Sequence, residues 1–219
     1  MTFKYTVGAL CGLSALAAAG PLSAKQDDKL CAGYFDKQVV RNAYFGWGGN
    51  PTAPMAIPSH TLRVVESKVT SSFNDRQAIG TPATEDRFKQ VWQSIDTWGA
   101  EEKVSAVITV DGWHAFAFPV TVPMTRKVEH AAGFYDVFSA DEKQVRGHIN
   151  PDEVSLIYAT HLPAGNGTAQ RAISFYGPGG DLIIGLYATE GNKVQNPKLI
   201  EGFNRTWELI KSMPRACAK

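Results

Sequence analysis

The chain has 219 residues, 44% of them hydrophobic, and its 22 basic and 21 acidic residues leave a formal charge of +1. That length and apolar content suit one domain with a real core and exclude a disordered chain. The near balance of charge, with no run of like sign, excludes a nucleic-acid groove and a membrane-binding stripe.

The first residues form a three-part pattern. Lys4 stands without an acid, an apolar stretch runs from Thr6 to Gly20, and the small-residue exit Pro21-Leu22-Ser23-Ala24 follows. This predicts a cleavable signal peptide over residues 1–24 and a mature chain, starting near Lys25, that is periplasmic or extracellular. The apolar stretch is too short to span a bilayer comfortably, so no membrane anchor is expected after cleavage. Cleavage leaves Cys31 and Cys217. An oxidising compartment favours a disulfide between them over two free thiols.

Residues 25–57 are punctuated by Gly46, Gly48, Gly49, Asn50, Pro51 and Pro54 and read as an irregular, aromatic-rich lead-in. A helix is expected from Ser59 to Thr70. Phe88, Val91, Trp92, Ile95 and Trp98 then recur at helical spacing behind Thr84, and Gly99 ends the run. After it the period drops to two. Val104, Ala106, Ile108 and Val110 share one face of a strand, and His114, Phe116 and Phe118 share a face of the next, with Asp111-Gly112 as the hairpin turn between them. Further strands are expected at residues 133–139, 144–149, 154–160, 172–176 and 181–187, the last two joined by Gly177-Pro178-Gly179-Gly180. Asn196-Pro197 opens a final helix with Leu199, Ile200, Phe203, Trp207 and Ile210 on its buried side, and Pro214 closes it. Consecutive strands with short turns predict an α+β domain over residues 58–214, an antiparallel sheet with helices at its ends.

Common catalytic and nucleotide-binding signatures are missing from the sequence. The glycines at 177–180 lie between strands rather than before a helix, so they read as a turn and not as a phosphate cradle. A binding protein is expected rather than an enzyme.

Three strings occur in a fixed succession. Asp86-Arg87-Phe88 leads through Val91-Trp92 to Thr97-Trp98-Gly99. Gly133-Phe134-Tyr135-Asp136-Val137 precedes Gly147-His148-Ile149. Ile173-Ser174-Phe175-Tyr176, a glycine turn and Ile184-Gly185-Leu186-Tyr187 follow. In order and spacing, over about residues 60 to 210, they resemble the ChuX/HutX family of heme-utilisation proteins. The resemblance implies a ChuX/HutX fold, equivalent to half of HemS, with heme or a related tetrapyrrole as ligand and a tendency to form homodimers. Family members work in the cytosol, whereas the leader of this chain predicts export.

A heme site needs an apolar slot, an iron ligand and cations for the propionates. The Gly147-His148-Ile149 match makes His148 the first candidate for the iron. Alternation puts Arg146 on the face of His148, so Arg146 is a propionate candidate together with Arg126. His114, which shares its face with Phe116 and Phe118, is a second ligand candidate. Tyr135 is a third, but the family places its tyrosine directly after the glycine. A shift of one residue sends the phenol to the opposite face of the sheet. Phe134, Phe116 and Phe118 are candidate pocket walls, and His130 sits in the loop before Gly133. Relatives commonly carry Gly-Arg-Asp after the late hairpin, where this chain reads Ala188-Thr189-Glu190. Two other readings therefore stand beside heme carriage: a binding or scaffolding module that kept the fold without the ligand, and a heme-modifying enzyme.

Overall fold

The computed structural model describes residues 27–46, 55–110, 114–128, 133–141, 143–164, 167–191 and 193–217. The expected signal peptide, the Asp111-Gly112 turn and His130 lie outside them. Four short helices come first: α1 (Asp27–Leu30), α2 (Tyr34–Gly46), α3 (Ala56–Leu62) and α4 (Glu66–Ser71). Strand β1 (Ala78–Pro82) and helix α5 (Glu85–Asp96) lead into the hairpin of β2 (Lys103–Val110) and β3 (His114–Thr121). Three short strands follow, β4 (Met124–Lys127), β5 (Tyr135–Phe138) and β6 (Arg146–Ile149). The chain then runs through β7 (Leu156–Pro163), β8 (Ala169–Tyr176) and β9 (Leu182–Thr189) to the last helix, α6 (Pro197–Ser212).

The strands form two antiparallel sheets. The larger has the order β1-β7-β8-β9-β2-β3 and the smaller the order β4-β5-β6. Both helices read from periodicity are present, and their caps form as the sequence predicts. Thr84 Oγ1 accepts from the Arg87 N–H at 3.2 Å, and Asn196 Oδ1 accepts from the Lys198 N–H at 3.0 Å. The glycine turn at 177–180 closes with the Gly177 N–H donating to the Asp181 carbonyl at 2.9 Å.

Each face of the large sheet carries its own core. On one face Phe88, Val91, Trp92 and Ile95 of α5, with Leu199, Phe203 and Ile210 of α6, pack on Ile157, Ile173, Phe175 and Leu186. The Trp92 ring stacks on Phe175 with centroids 4.9 Å apart, and its Nε1 donates to the Pro123 carbonyl at 3.1 Å. A buried indole thus keeps its one donor satisfied. The α5–α6 side of this core is tight at Gly202, where a Cβ would lie 2.6 Å from Trp98 Cδ1. The small sheet covers the same face with Tyr135, Val137 and Ile149.

On the opposite face Val40, Tyr44, Met55, Val69 and Phe73 pack on Tyr158, Tyr176, Tyr187 and Leu182. A disulfide joins Cys31 to Cys217, with Cα atoms 5.5 Å apart, and ties this helical layer to the end of the chain.

Four expectations are corrected. Residues 25–57 are not an irregular lead-in in their described part, because α2 places Val40 and Tyr44 one turn apart against the sheet, and the glycine and proline cluster begins only at its end. The helix expected over 59–70 is broken in two at Arg63, whose left-handed backbone (φ 53°) lets its N–H donate back to the Ser59 and His60 carbonyls. Strands β1 and β4 were not anticipated. One sheet was expected where two form.

Candidate functional site: an apolar cleft between the sheets

The cleft lies where β6, an edge of the small sheet, approaches β2, β3 and β9. It has a volume of about 260 Å³. Ala106 and Ile108 of β2, Phe118 of β3, and Ile183 and Ile184 of β9 form one wall. Val137, Val145, Gly147 and Ile149 form the other. Strand alternation produces this second wall, since these odd-numbered residues all face away from the outer surface of the small sheet. A Cβ at Gly147 would meet no atom within 4 Å, so the cleft stays open there.

His148 and Arg146 also line the cleft, at its lip. Their side chains belong to the outer face of the small sheet, where Arg126, Asp136 and His148 pair in register across β4, β5 and β6. Nδ1 of His148 lies 2.8 Å from Asp136 Oδ1, and Nη2 of Arg126 lies 3.2 Å from Asp136 Oδ2. The side chain of His148 is 64% exposed and that of Asp136 is 24% exposed. A neutral imidazole that donates Nδ1–H to a carboxylate has its lone pair on Nε2, the arrangement in which histidines bind metals.

The remaining candidates divide. Phe118 is half-buried in the cleft wall, and Phe116, on the same face of β3, continues that wall into solvent at 54% exposure. His114 lies beyond Phe116 on the exposed end of β3 and does not line the cleft. Arg126 is held by Asp136 and lies over the Phe138 ring at 5.1 Å, outside the cleft. Phe134 is corrected as a pocket wall: it sits exposed on the outer face of the small sheet, with Asp136.

Tyr135 is corrected as an iron ligand. Its ring is buried against Phe88, with centroids 5.4 Å apart, and its hydroxyl donates to Glu85 Oε1 at 3.1 Å. Burial, followed by the hydrogen bond to Glu85, pushes the phenol pKa up. Lys127, donating to the same Glu85 oxygen at 2.6 Å, holds that carboxyl below the usual range. The one-residue offset from the family pattern therefore turns the phenol into the core, as alternation requires.

Sequence reasoning did not find Asp136 or the β9 wall. Asp136 was readable in principle, being two residues from Phe134 and Phe138 on one strand face, but its pairing with His148 is a matter of register between strands. Among the described residues no group of three or more His, Cys, Asp or Glu side chains is placed to hold a metal ion. No described helix is long and apolar enough to cross a membrane.

An apolar cleft with an imidazole and a guanidinium at its lip has the donor set that a tetrapyrrole requires. Its volume of about 260 Å³ falls just under the ~300–1,000 Å³ typical of small-molecule pockets, too little to enclose a whole macrocycle. The exposed Phe116 adjoins the open side.

No protein-family model matches this chain, and no curated protein matches it. Solved structures do. The chain is similar to a protein from Agrobacterium tumefaciens at 16% identity and a TM-score of 0.60, over 89% of this chain and 99% of that one. It is similar to the heme binding protein ChuX at 14% identity and a TM-score of 0.58, over 80% of this chain and 99% of that one. It also resembles ChuS, a heme degrading enzyme of Escherichia coli O157:H7, at 12% identity and a TM-score of 0.54, over 78% of this chain and 47% of that one. The expectation of a periplasmic or extracellular protein finds no support in these likenesses and is not kept. The Cys31–Cys217 bridge rests on the 5.5 Å separation of the two Cα atoms. At 12–16% identity, spanning the full length of ChuX and about half of ChuS, the chain has the same α+β fold as ChuX, with antiparallel sheets flanked by helices.

Proposed function

We propose that this protein binds heme or a related tetrapyrrole at the cleft and carries it without turnover. The observation that supports this most is the His148–Asp136 pair, 2.8 Å apart, at the lip of an apolar cleft. His148 supplies the iron ligand through Nε2, Arg146 a charge for a propionate, and Ile108, Phe118 and Ile183 the apolar contact.

Hemin titration followed by the Soret band tests the reading. A saturable shift is expected, lost in His148→Ala and retained in His114→Ala. Asp136→Asn removes the carboxylate that orients the imidazole and is expected to weaken binding by about 10–100-fold. No saturable shift, or an unchanged one in His148→Ala, removes the iron-ligation claim. Incubation with hemin and a reductant separates carriage from turnover, since bleaching beyond a protein-free control would make the protein an enzyme.

A second reading, a module that kept the fold and gave up the ligand, is favoured by the engagement of Tyr135 in the core and by the small volume of the cleft. It predicts that hemin leaves the Soret band unshifted in the wild type and in every variant.

A further inference from the structure

On the far side of the large sheet, α2 and the segment that follows α4 enclose a groove of about 620 Å³. Lys37 and Arg41 reach it from one turn of α2, and Arg76 reaches it from the opposite wall. The Arg76 N–H donates to Asn74 Oδ1 at 2.9 Å, a bond that fixes the turn from which this guanidinium projects.

The acid lining the groove is already used, because Asp75 Oδ1 lies 2.8 Å from Nη2 of Arg215. Neither Arg41 nor Arg76 has a carboxylate partner among the described residues. Nε of Arg41 is buried with no hydrogen-bond partner among them. A desolvated guanidinium N–H without an acceptor is costly.

We infer that this groove is a binding site for a small, multiply charged oxyanion, a phosphoryl or carboxylate group borne on a small molecule. Arg41 faces the anion from the α2 wall, Arg76 from the opposite wall, and Phe73 forms part of the lining. The site is separate from the cleft and does not depend on heme binding.

Calorimetric titration of the full disulfide-bonded chain at fixed ionic strength tests the inference, with inorganic pyrophosphate in one arm and citrate in the other. Saturable binding to one site is expected, weakened at least tenfold by Arg41→Gln and by Arg76→Gln. The second variant alters an exposed side chain and serves if the first does not fold. Tighter pyrophosphate binding identifies a phosphoryl ligand, and tighter citrate binding a carboxylate ligand. If neither anion saturates, or if the folded variants bind as the wild type does, the site is not there.

Discussion

The two faces of the large sheet are covered by different means. Over the cleft-side face, α5 and α6 are long enough to present several turns of apolar side chains, and their indole and hydroxyl groups find partners, as Trp98 Nε1 does on Thr206 Oγ1 at 3.0 Å. Over the other face α1, α3 and α4 have only 4, 7 and 6 residues, lengths at which a helix relies on packing rather than on its own hydrogen bonds, and α2 alone matches α5 in length. That face is also more polar. Tyr44 Oη, Glu66 Oε1 and Ser67 Oγ are buried in it without partners among the described residues. The difference teaches that one face is held by packing built into its own elements, whereas the other depends on a covalent tie.

The largest effect expected from breaking this comparison is at the bridge. The Cys31–Cys217 disulfide closes a separation of 186 residues, and chain-entropy reasoning puts its contribution at roughly 5 kcal/mol as an upper bound. Reduction, or Cys31→Ser with Cys217→Ser, is expected to lower the denaturation midpoint and to speed hydrogen exchange in α1 and α2 first. Protection in α5 and α6 should persist. Uniform loss of protection across both faces would show that the two layers unfold as one unit.

Trp92→Ala strikes the other face. The side chain is fully buried, stacked on Phe175 and hydrogen-bonded to the Pro123 carbonyl, so truncation is expected to cost about 3–5 kcal/mol in chemical denaturation. The loss should be global, with all probes shifting together. A change confined to α5 would mean that this core is less continuous than its contacts indicate.

How much of this was legible follows the same division. Helices α5 and α6 announced themselves because spacing, caps and terminators agreed, and the β2–β3 pairing because alternation was clean over both strands. Helix α2 was obscured by the glycines and prolines that follow it and by a buried stripe that, among its described side chains, comprises Val40 and Tyr44. Strand β1 is buried on both sides through Thr81 and so shows no alternation, while Gly80 and Pro82 within it mimic a turn. At the site, the sequence placed His148 and Arg146 on one face and sent Tyr135 to the other, since both follow from a period of two. It did not show the cleft. That depends on which strand of the large sheet lies opposite β6, and no local pattern encodes such a contact.

Acid titration sharpens the contrast at a smaller scale. Burial, with the Asp181 carboxylate adding to it, pushes the Glu66 carboxyl up from its ordinary 4.5 to about 7. Between those values the folded protein keeps a proton that the unfolded chain has released. Stability is therefore unaffected below about pH 4.5, falls as pH rises from 4.5 to 7, and stays lower above it, by roughly 2–3 kcal/mol. Glu66→Gln is expected to flatten this slope and to stabilise the protein at pH 8, read as denaturant midpoints across pH. On the other face Asp96, pushed up by burial from 3.8 to about 6, gives a slope of the same sign in a more acidic window. A slope that survives Glu66→Gln above pH 6 would assign the titration elsewhere.

The smallest effect is expected at Tyr135, and it bears most directly on the cleft. Its hydroxyl donates to Glu85 at 3.1 Å, and its ring belongs to the cleft-side core. Tyr135→Phe keeps the ring and removes one hydrogen bond, so Tm should fall by no more than about 2–4 °C. If iron is held from the lip by His148, this variant must titrate hemin as the wild type does, because the phenol lies on the far side of its strand from Asp136 and His148. A changed Soret maximum in Tyr135→Phe would require β5 to shift by one residue on ligand binding. That shift would break the Asp136–His148 pairing on which the proposed ligation depends.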